Sequence, residues 1–507
     1  MARGVKKLPE LILGWVVDDA WQPIYWSVPG RSSGFQTNAD LIVADTENAG
    51  YHTLIIAQSG SGKSFFLGRL LEEVLLRTKC RVVIFDPNSD FRKFSEMEPW
   101  TRWGKPKTVA YPHEKKRRPF AERWKSVKQK MRVYVSAHEQ GVGLTPIQLD
   151  WLDFSIDWFT DDTDPAFQSE MRHCHSFVRD FSALCLSAKT FAWRNEQART
   201  RTMLEDARGF VRRTAGMERL AVLEELKKLF SSSAEDSTYN TEECETHFKS
   251  SEEFDGWLLP RLKRAAQRRV NVSQEVERAY FSIAEEERHS EIFSNIVPPK
   301  KESPVRVHVI DLPSIRDRSH RMMAVSRFLE EEMEFARANW QQAMALPRNE
   351  PDRRVPTFIV VDEAHNLLGQ QPDGRAATRL RDQFRTVAAE GRKFGVFLVL
   401  VSQRPDKLDP MVISECENRA IMRLNSEALV LKTAELLGLS NAACKLLVDS
   451  QPLKTGRALL CGPWAKTAKA ETVRMYGAMR RTLEGGKNLD KRYWTRPYPL
   501  KERKKIP

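Results

Sequence analysis

Residues 57–64 read Ala-Gln-Ser-Gly-Ser-Gly-Lys-Ser, and the two glycines, the lysine and the final hydroxyl suit a triphosphate. Gly60 and Gly62 let backbone N–H groups come close to phosphate oxygens, and a helix that starts here adds the positive end of its dipole. The candidate phosphate-binding set is Ser59, Gly60, Ser61, Gly62, Lys63, Ser64 and Phe65. Lys63 would reach the β- and γ-phosphates of ATP and act in catalysis, while Ser64 would ligate Mg2+. Ala57 stands where the usual pattern has its first glycine. A side chain that small fits the turn in most backbones.

Such a cradle needs an acidic partner at the end of a neighbouring strand. Four apolar β-formers, 358–361, are followed by Asp362 and Glu363. Asp362 is expected to hold Mg2+ through water, and Glu363 to orient or polarise the attacking water. A further apolar run, 396–401, ends in Ser402, Gln403 and Arg404, which makes Gln403 a candidate sensor of the γ-phosphate or the water. Arg392 precedes that run and is a candidate catalytic arginine, because a guanidinium stabilises charge spread over a transferring phosphoryl group. Most surface arginines are structural or solvated, so the residue by itself leaves both readings open.

An α/β core must bring these groups together. Short apolar runs at 51–57, 81–85, 305–312, 357–361, 396–401, 419–424 and 457–460 alternate with helical stretches such as 63–77. That pattern implies a RecA-like P-loop NTPase with a mostly parallel sheet covered on both faces. The cradle and the acids lie on either side of a long, charged, mostly helical region. The expected order is a short N-terminal β segment (1–50), a first core part (51–111), a helical insertion (112–302), a second core part (303–465) and an extended basic C-terminal arm (466–507). Within the insertion, Leu220, Leu223, Leu226 and Phe230 have helical spacing. Residues 231–235 read as a loop, and the basic run 115–118 suits phosphate contacts or a solvated face alike.

With 507 residues, 41% hydrophobic and 29% charged, the chain can bury sizeable cores and is not of a disordered class. The net charge of +13 favours a polyanionic partner. No apolar run is long enough to span a bilayer, so no integral membrane segment is expected. The seven cysteines are scattered without a C-x-x-C pair, which fits free thiols in a reducing, cytoplasmic setting. His173, Cys174 and His175 point in different directions if helical, so a polar helical turn is expected there rather than a metal site.

The stretches 57–64, 85–91, 359–368, 390–410 and 418–426 together resemble the HerA-type hexameric DNA translocases, within the wider HerA/FtsK group that includes conjugative secretion ATPases. The block from Gly391 to Pro410 is the most specific part. The resemblance implies a homohexameric ring that uses ATP and Mg2+, moves on double-stranded DNA and works with a nuclease or other effector in DNA processing or phage defence. It also implies that Arg392 acts in trans on a neighbour's nucleotide, with Arg404 as its competitor, and that Gln403 is the sensor. An ATP-gated scaffold for an effector and a conjugation-type secretion ATPase are the alternative readings. Family members often begin with a small β-barrel, whereas residues 1–50 leave room only for a truncated one or none. The spelling Asp-Glu-Ala-His at 362–365 matches the label of another helicase family, but nothing after 426 resembles its second catalytic domain. His365 is therefore read as packing or polar support.

Overall fold

The computed structural model describes residues 10–16, 41–45, 50–97, 120–139, 141–147, 149, 152, 154–159, 164–187, 196–230, 251–270, 272–287, 305–347, 354–464, 472–477, 480 and 482–484. The basic run at 115–118, the expected loop at 231–235 and the arm beyond 484 lie outside them.

Twelve strands form one sheet. They are β1 (Glu10–Val16), β2 (Leu41–Asp45), β3 (Thr53–Ile56), β4 (Arg81–Asp86), β5 (Met131–Val135), β6 (Leu144–Pro146), β7 (Val307–Asp311), β8 (Thr357–Val361), β9 (Val396–Ser402), β10 (Asn418–Ile421), β11 (Arg457–Cys461) and β12 (Thr472–Gly477). Their order is β2-β1-β12-β11-β10-β3-β9-β8-β4-β7-β5-β6. Every pair from β10 to β6 is parallel. The pairs linking β2, β1, β12, β11 and β10 are antiparallel. All seven apolar runs named from the sequence are strands.

The central strands are buried on both faces, and their alternate residues feed two separate cores. Ile55, Val82, Ile84, Val360, Val399 and Val401 pack with Phe66, Leu67, Leu71 and Val74 of α1 (Lys63–Arg77) and with Trp124 of α2 (Phe120–Lys128). Leu54, Ile56, Val83, Phe85, Ile359, Val361, Leu398 and Leu400 face the other way. There they meet a layer that includes α8 (Arg318–Met344) and α9 (Gly374–Phe394). Each fully buried leucine, valine or phenylalanine contributes about 1.5–3 kcal/mol.

The insertion is largely helical: α3 (Pro165–Ser187), α4 (Glu196–Arg213), α5 (Arg219–Phe230), α6 (Ser251–Val270) and α7 (Gln274–Glu287). Phe177, Phe181 and Phe210 stack at its centre. Two details differ from the sequence reading. Residues 131–135 and 144–146, placed there in the helical insertion, are β5 and β6 of the core sheet. The arm begins with β12, which is paired on both sides rather than extended free. Alternating polarity over so few residues is too short a signal to separate a strand from a helical turn.

His52, just before β3, ties the sheet to its covering helix. Its Nδ1 accepts from Leu398 N–H at 2.9 Å, and Nε2 donates to the Ala388 carbonyl at 2.9 Å. The bond accepted by Nδ1 needs the neutral ring, and burial lowers its pKa to about 4. Burial likewise lowers His175 to about 4 and His308 to about 3. Folded pKa values below the unfolded 6.5 mean that the unfolded chain takes up protons first as pH falls. Stability is then fully present above pH 6.5 and is lost between there and about pH 4, on the order of 3 kcal/mol for His52. The urea midpoint should fall between pH 7 and pH 5, and His52→Gln should lose less over that interval. An equal loss in the variant would refute the role given to His52.

Candidate functional site

The phosphate loop joins the C-terminal end of β3 to α1. Its carbonyls are held from outside. Arg423 Nη2 donates to Ser59 O at 2.8 Å, Thr455 Oγ1 to Gly60 O at 3.1 Å and Gly456 N to Ser61 O at 3.1 Å. Engaging the carbonyls this way leaves an anion to the loop's N–H groups. Positive φ falls on Gly60 (72°) and Gly62 (97°), and Gly62 caps α1 in the left-handed region. Ala57 is not among the positive-φ residues; it is buried and its N–H donates to Ser402 O at 3.1 Å. Alanine therefore fits because that position makes no demand only glycine could meet.

The strand that carries the acids is not the immediate neighbour expected from the sequence. β9 lies between β3 and β8, which puts Gln403 between the phosphate loop and the carboxylates. Lys63 Nζ donates to Asp362 Oδ1 at 2.8 Å and also to Glu363. Gln403 Nε2 donates to the same Glu363 carboxylate. His365 Nδ1 lies 3.2 Å from Ser402 Oγ and 3.5 Å from Glu363 Oε2, so it supports the site as expected.

A second acidic group comes from the turn after β4. Ser64 Oγ donates to Asp90 Oδ2 at 2.7 Å. Asp86 is fully buried and accepts from the N–H groups of Asn88, Asp90 and Phe91 at 3.2, 3.1 and 2.7 Å. Burial raises its pKa to about 7, with the Asp90 and Asp362 charges adding to the shift. Ser89 and Glu363, the two non-glycine residues with positive φ among the described residues, both sit here at 58° and 43°. The left-handed region costs a residue with a Cβ roughly 1–2 kcal/mol, and strain of this kind collects at functional sites. The sequence reading gave Asp86, Asp90 and Arg423 no role, although they lie in the stretches 85–91 and 418–426 that carry the family resemblance.

The charges do not balance. Burial works against the Lys63 ammonium, but Asp362 and Glu363 outweigh it and raise its pKa. Burial pushes Asp362 upward, against the pull of Lys63. One ammonium faces two buried carboxylates, with Asp86 and Asp90 close by. Asp362 Oδ2 is buried without a hydrogen-bond partner. A hard divalent cation fits this set, with Ser64 and Asp362 as its expected contacts and Asp90 behind Ser64. Among the described residues no three His, Cys, Asp or Glu side chains form a metal cage. An ion such as Mg2+ is held by few protein ligands together with phosphates and water. His173, Cys174 and His175 diverge: His173 is half-buried with Nδ1 2.7 Å from Ser169 O, Cys174 is buried, and His175 meets Tyr280 OH at 3.2 Å.

Arg392 is not brought to this site. It ends α9 at the N-terminal edge of the parallel strands, where its guanidinium lies 3.8 Å over the Tyr51 ring and 2.9 Å from Glu417. The phosphate loop is at the C-terminal edge, about 20 Å away along the length of β9. Arg404 is at the near edge and exposed. It lines a cavity of about 730 Å³ with Asp362, His365, Arg318, Arg321 and Lys407.

A family model described as the central domain of helicase HerA matches residues 37–332, more than half of the 507-residue chain. The chain belongs to the HerA family. A second model, the ATPase family associated with various cellular activities, matches residues 301–424 of this HerA-family ATPase. The DNA double-strand break repair helicase HerA of Pyrococcus furiosus is 30% identical over 181 residues, 31% of this chain and 31% of that protein. A probable helicase of Methanocaldococcus jannaschii is 33% identical over 141 residues, 26% of this chain and 25% of its own length. The matched stretches cover only 31% and 25% of those relatives. VirB4 of Thermoanaerobacter pseudethanolicus aligns over 94% of this chain and 98% of its own, at 16% identity and a TM-score of 0.42, too slight a likeness to bear on function.

Glu363 meets both Lys63 and Gln403, so Glu363→Gln should keep the packing and remove the base. Hydrolysis should fall about 10²- to 10⁴-fold, the usual worth of a positioned general base, while ATP still binds in a filter or fluorescence assay. Near-complete retention of turnover would remove Glu363 from the chemistry.

Proposed function

We propose that this chain is the subunit of a ring-shaped motor that hydrolyses ATP between protomers and uses the cycle to move along double-stranded DNA. The position of Arg392 is the observation that carries the reading. Held by Tyr51 and Glu417 at the N-terminal edge, it cannot reach its own phosphate loop. It can serve only a neighbour whose C-terminal edge faces it. Such a contact is heterologous, and copies related by it close into a ring when the rotation divides the circle. The resemblance to HerA-type hexameric translocases supports a homohexamer as that ring.

Within each site, Lys63 and Ser64 bind the phosphates, Glu363 accepts the proton of the attacking water, and Gln403 orients that water against Glu363. Mg2+ held by Ser64 and Asp362 would neutralise the β- and γ-oxygens when bound. Arg392 from the neighbour would set a planar cation against the charge spread over the transferring phosphoryl group. The charge of +13 supports a polyanionic partner. So does the cavity with Arg318, Arg321, Arg404 and Lys407 beside the site. Phosphate-backbone contacts of this kind are independent of base sequence.

An effector partner such as a nuclease, in DNA processing or phage defence, has one supporting feature. Met217, Leu220 and Leu259 are exposed on the helical insertion. Five free cysteines among the described residues fit a reducing, cytoplasmic setting. Among those residues no helix is long and apolar enough to cross a membrane.

Duplex DNA should stimulate ATP hydrolysis, and the stimulation should fade as salt rises because counterion release drives phosphate binding. An ATPase indifferent to DNA would argue for a gated scaffold instead. Arg392→Ala should bind ATP with near-normal affinity yet hydrolyse it poorly. Mixing it with Lys63→Ala protein should restore part of the turnover, since an intact pair of edges then meets at some interfaces. A fully active Arg392→Ala protein, or no recovery on mixing, would sink the trans assignment.

A further inference from the structure

Beyond β12, Arg480 and residues 482–484 pack against α1 and the turn after β4. Thr482 bridges Met97 in antiparallel fashion, and Leu483 N donates to Glu96 O at 3.0 Å. Thr482 also donates to the buried Glu72 carboxylate of α1, through N–H at 2.7 Å and Oγ1 at 2.9 Å. Between these anchors lies Arg480, almost wholly buried. Its Nη1 donates to the Ser64 carbonyl at 2.9 Å, Nε to Thr482 Oγ1 at 3.0 Å and Nη2 to Leu483 O at 2.9 Å. Its guanidinium carbon stands 5.0 Å from the centre of the Phe91 ring and 5.6 Å from that of Phe94. Gly68, one helical turn beyond Ser64, leaves the space it occupies, and a Cβ there would come within 2.7 Å of the guanidinium carbon.

A buried guanidinium is costly unless every donor is used and its charge is answered. Here the charge is answered first by Glu72 and Glu484 and then by Asp90 and Asp86 of the site, and Asp90 is the acceptor of the Ser64 hydroxyl. Arg480 thus touches both bodies that must be in register for Ser64 to work: the first turn of α1 and the turn at 86–94.

We infer that Arg480 is a positioning residue for Ser64, wedged by the C-terminal segment between α1 and the β4 turn so that the Ser64 hydroxyl is set against Asp90 and the Mg2+ position. The inference rests on Ser64 as the magnesium contact. Groups behind a metal contact typically carry a tenfold to hundredfold share of metal affinity or activity. Lysine keeps the charge but cannot span the three acceptors.

The test is titration of the full chain with a fluorescent ATP analogue, in Mg2+ and in EDTA, alongside hydrolysis at varied Mg2+. Arg480→Ala and Arg480→Lys should raise the Mg2+ needed for half-maximal binding and hydrolysis by about tenfold or more, with affinity in EDTA unchanged. Equal losses with and without Mg2+, or none, would overturn the inference and leave Arg480 a packing residue. Gly68→Ala supplies an independent arm. Alanine ordinarily stabilises a helix interior over glycine, so here it should lower the unfolding midpoint and reproduce the Mg2+ shift by displacing Arg480. In the Arg480→Ala background the same substitution should raise the midpoint, and identical behaviour in both backgrounds would refute the contact. Lys63→Ala separates the two readings. If it retained turnover, the site assignment and the role of Arg480 would fall together. If it is inactive while Arg480 variants keep their Mg2+ dependence, only the inference falls.

Discussion

Everything at the nucleotide site depends on an excess of buried negative charge around a single ammonium. Lys63 sits between the buried carboxylates of Asp362 and Glu363, and burial alone would favour the neutral form of Asp362. A divalent cation and a polyphosphate would complete the arrangement. Asp362 Oδ2, buried without a partner, marks where the deficit lies. The strained backbone at Glu363 belongs to the same constraint, because that turn brings its carboxylate back toward both Lys63 and Gln403.

The sheet order makes that clustering possible. β9 lies between β3 and β8, so three consecutive strand ends deliver the phosphate loop, Gln403 and the acids in that order. Parallel strands put all three on one edge and Arg392 on the opposite one. The phosphate loop and Arg392 therefore lie on faces that cannot meet within one copy.

Much of this was legible beforehand. The phosphate loop, the acid pair, the seven central strands and Gln403 each depend on local patterns, namely glycine spacing and apolar runs that end in polar residues. Asp90 and Arg480 were not legible, since neither has meaning until distant segments are packed. Asp90 joins Ser64 across a turn, and Arg480 reaches it from the far end of the chain. β5 and β6 were missed for another reason: short strands inside a helical stretch declare themselves only by pairing. Arg392 was found by pattern, yet the edge it occupies became clear only with the strand direction.

The pairing of His52 with Leu398 spans 346 residues of sequence, and that separation bears on how the protein is made. β3 leaves the ribosome early, apolar after Thr53, while both of its partners, β9 and β10, are still untranslated. At a typical pace of about 5–20 residues per second, it waits on the order of half a minute for them. Through that interval α1 can form but has no sheet to cover, and the nascent chain exposes a strand edge that invites wrong pairings. A chain cut short anywhere before β9 would therefore carry the whole phosphate-loop sequence and still have no site.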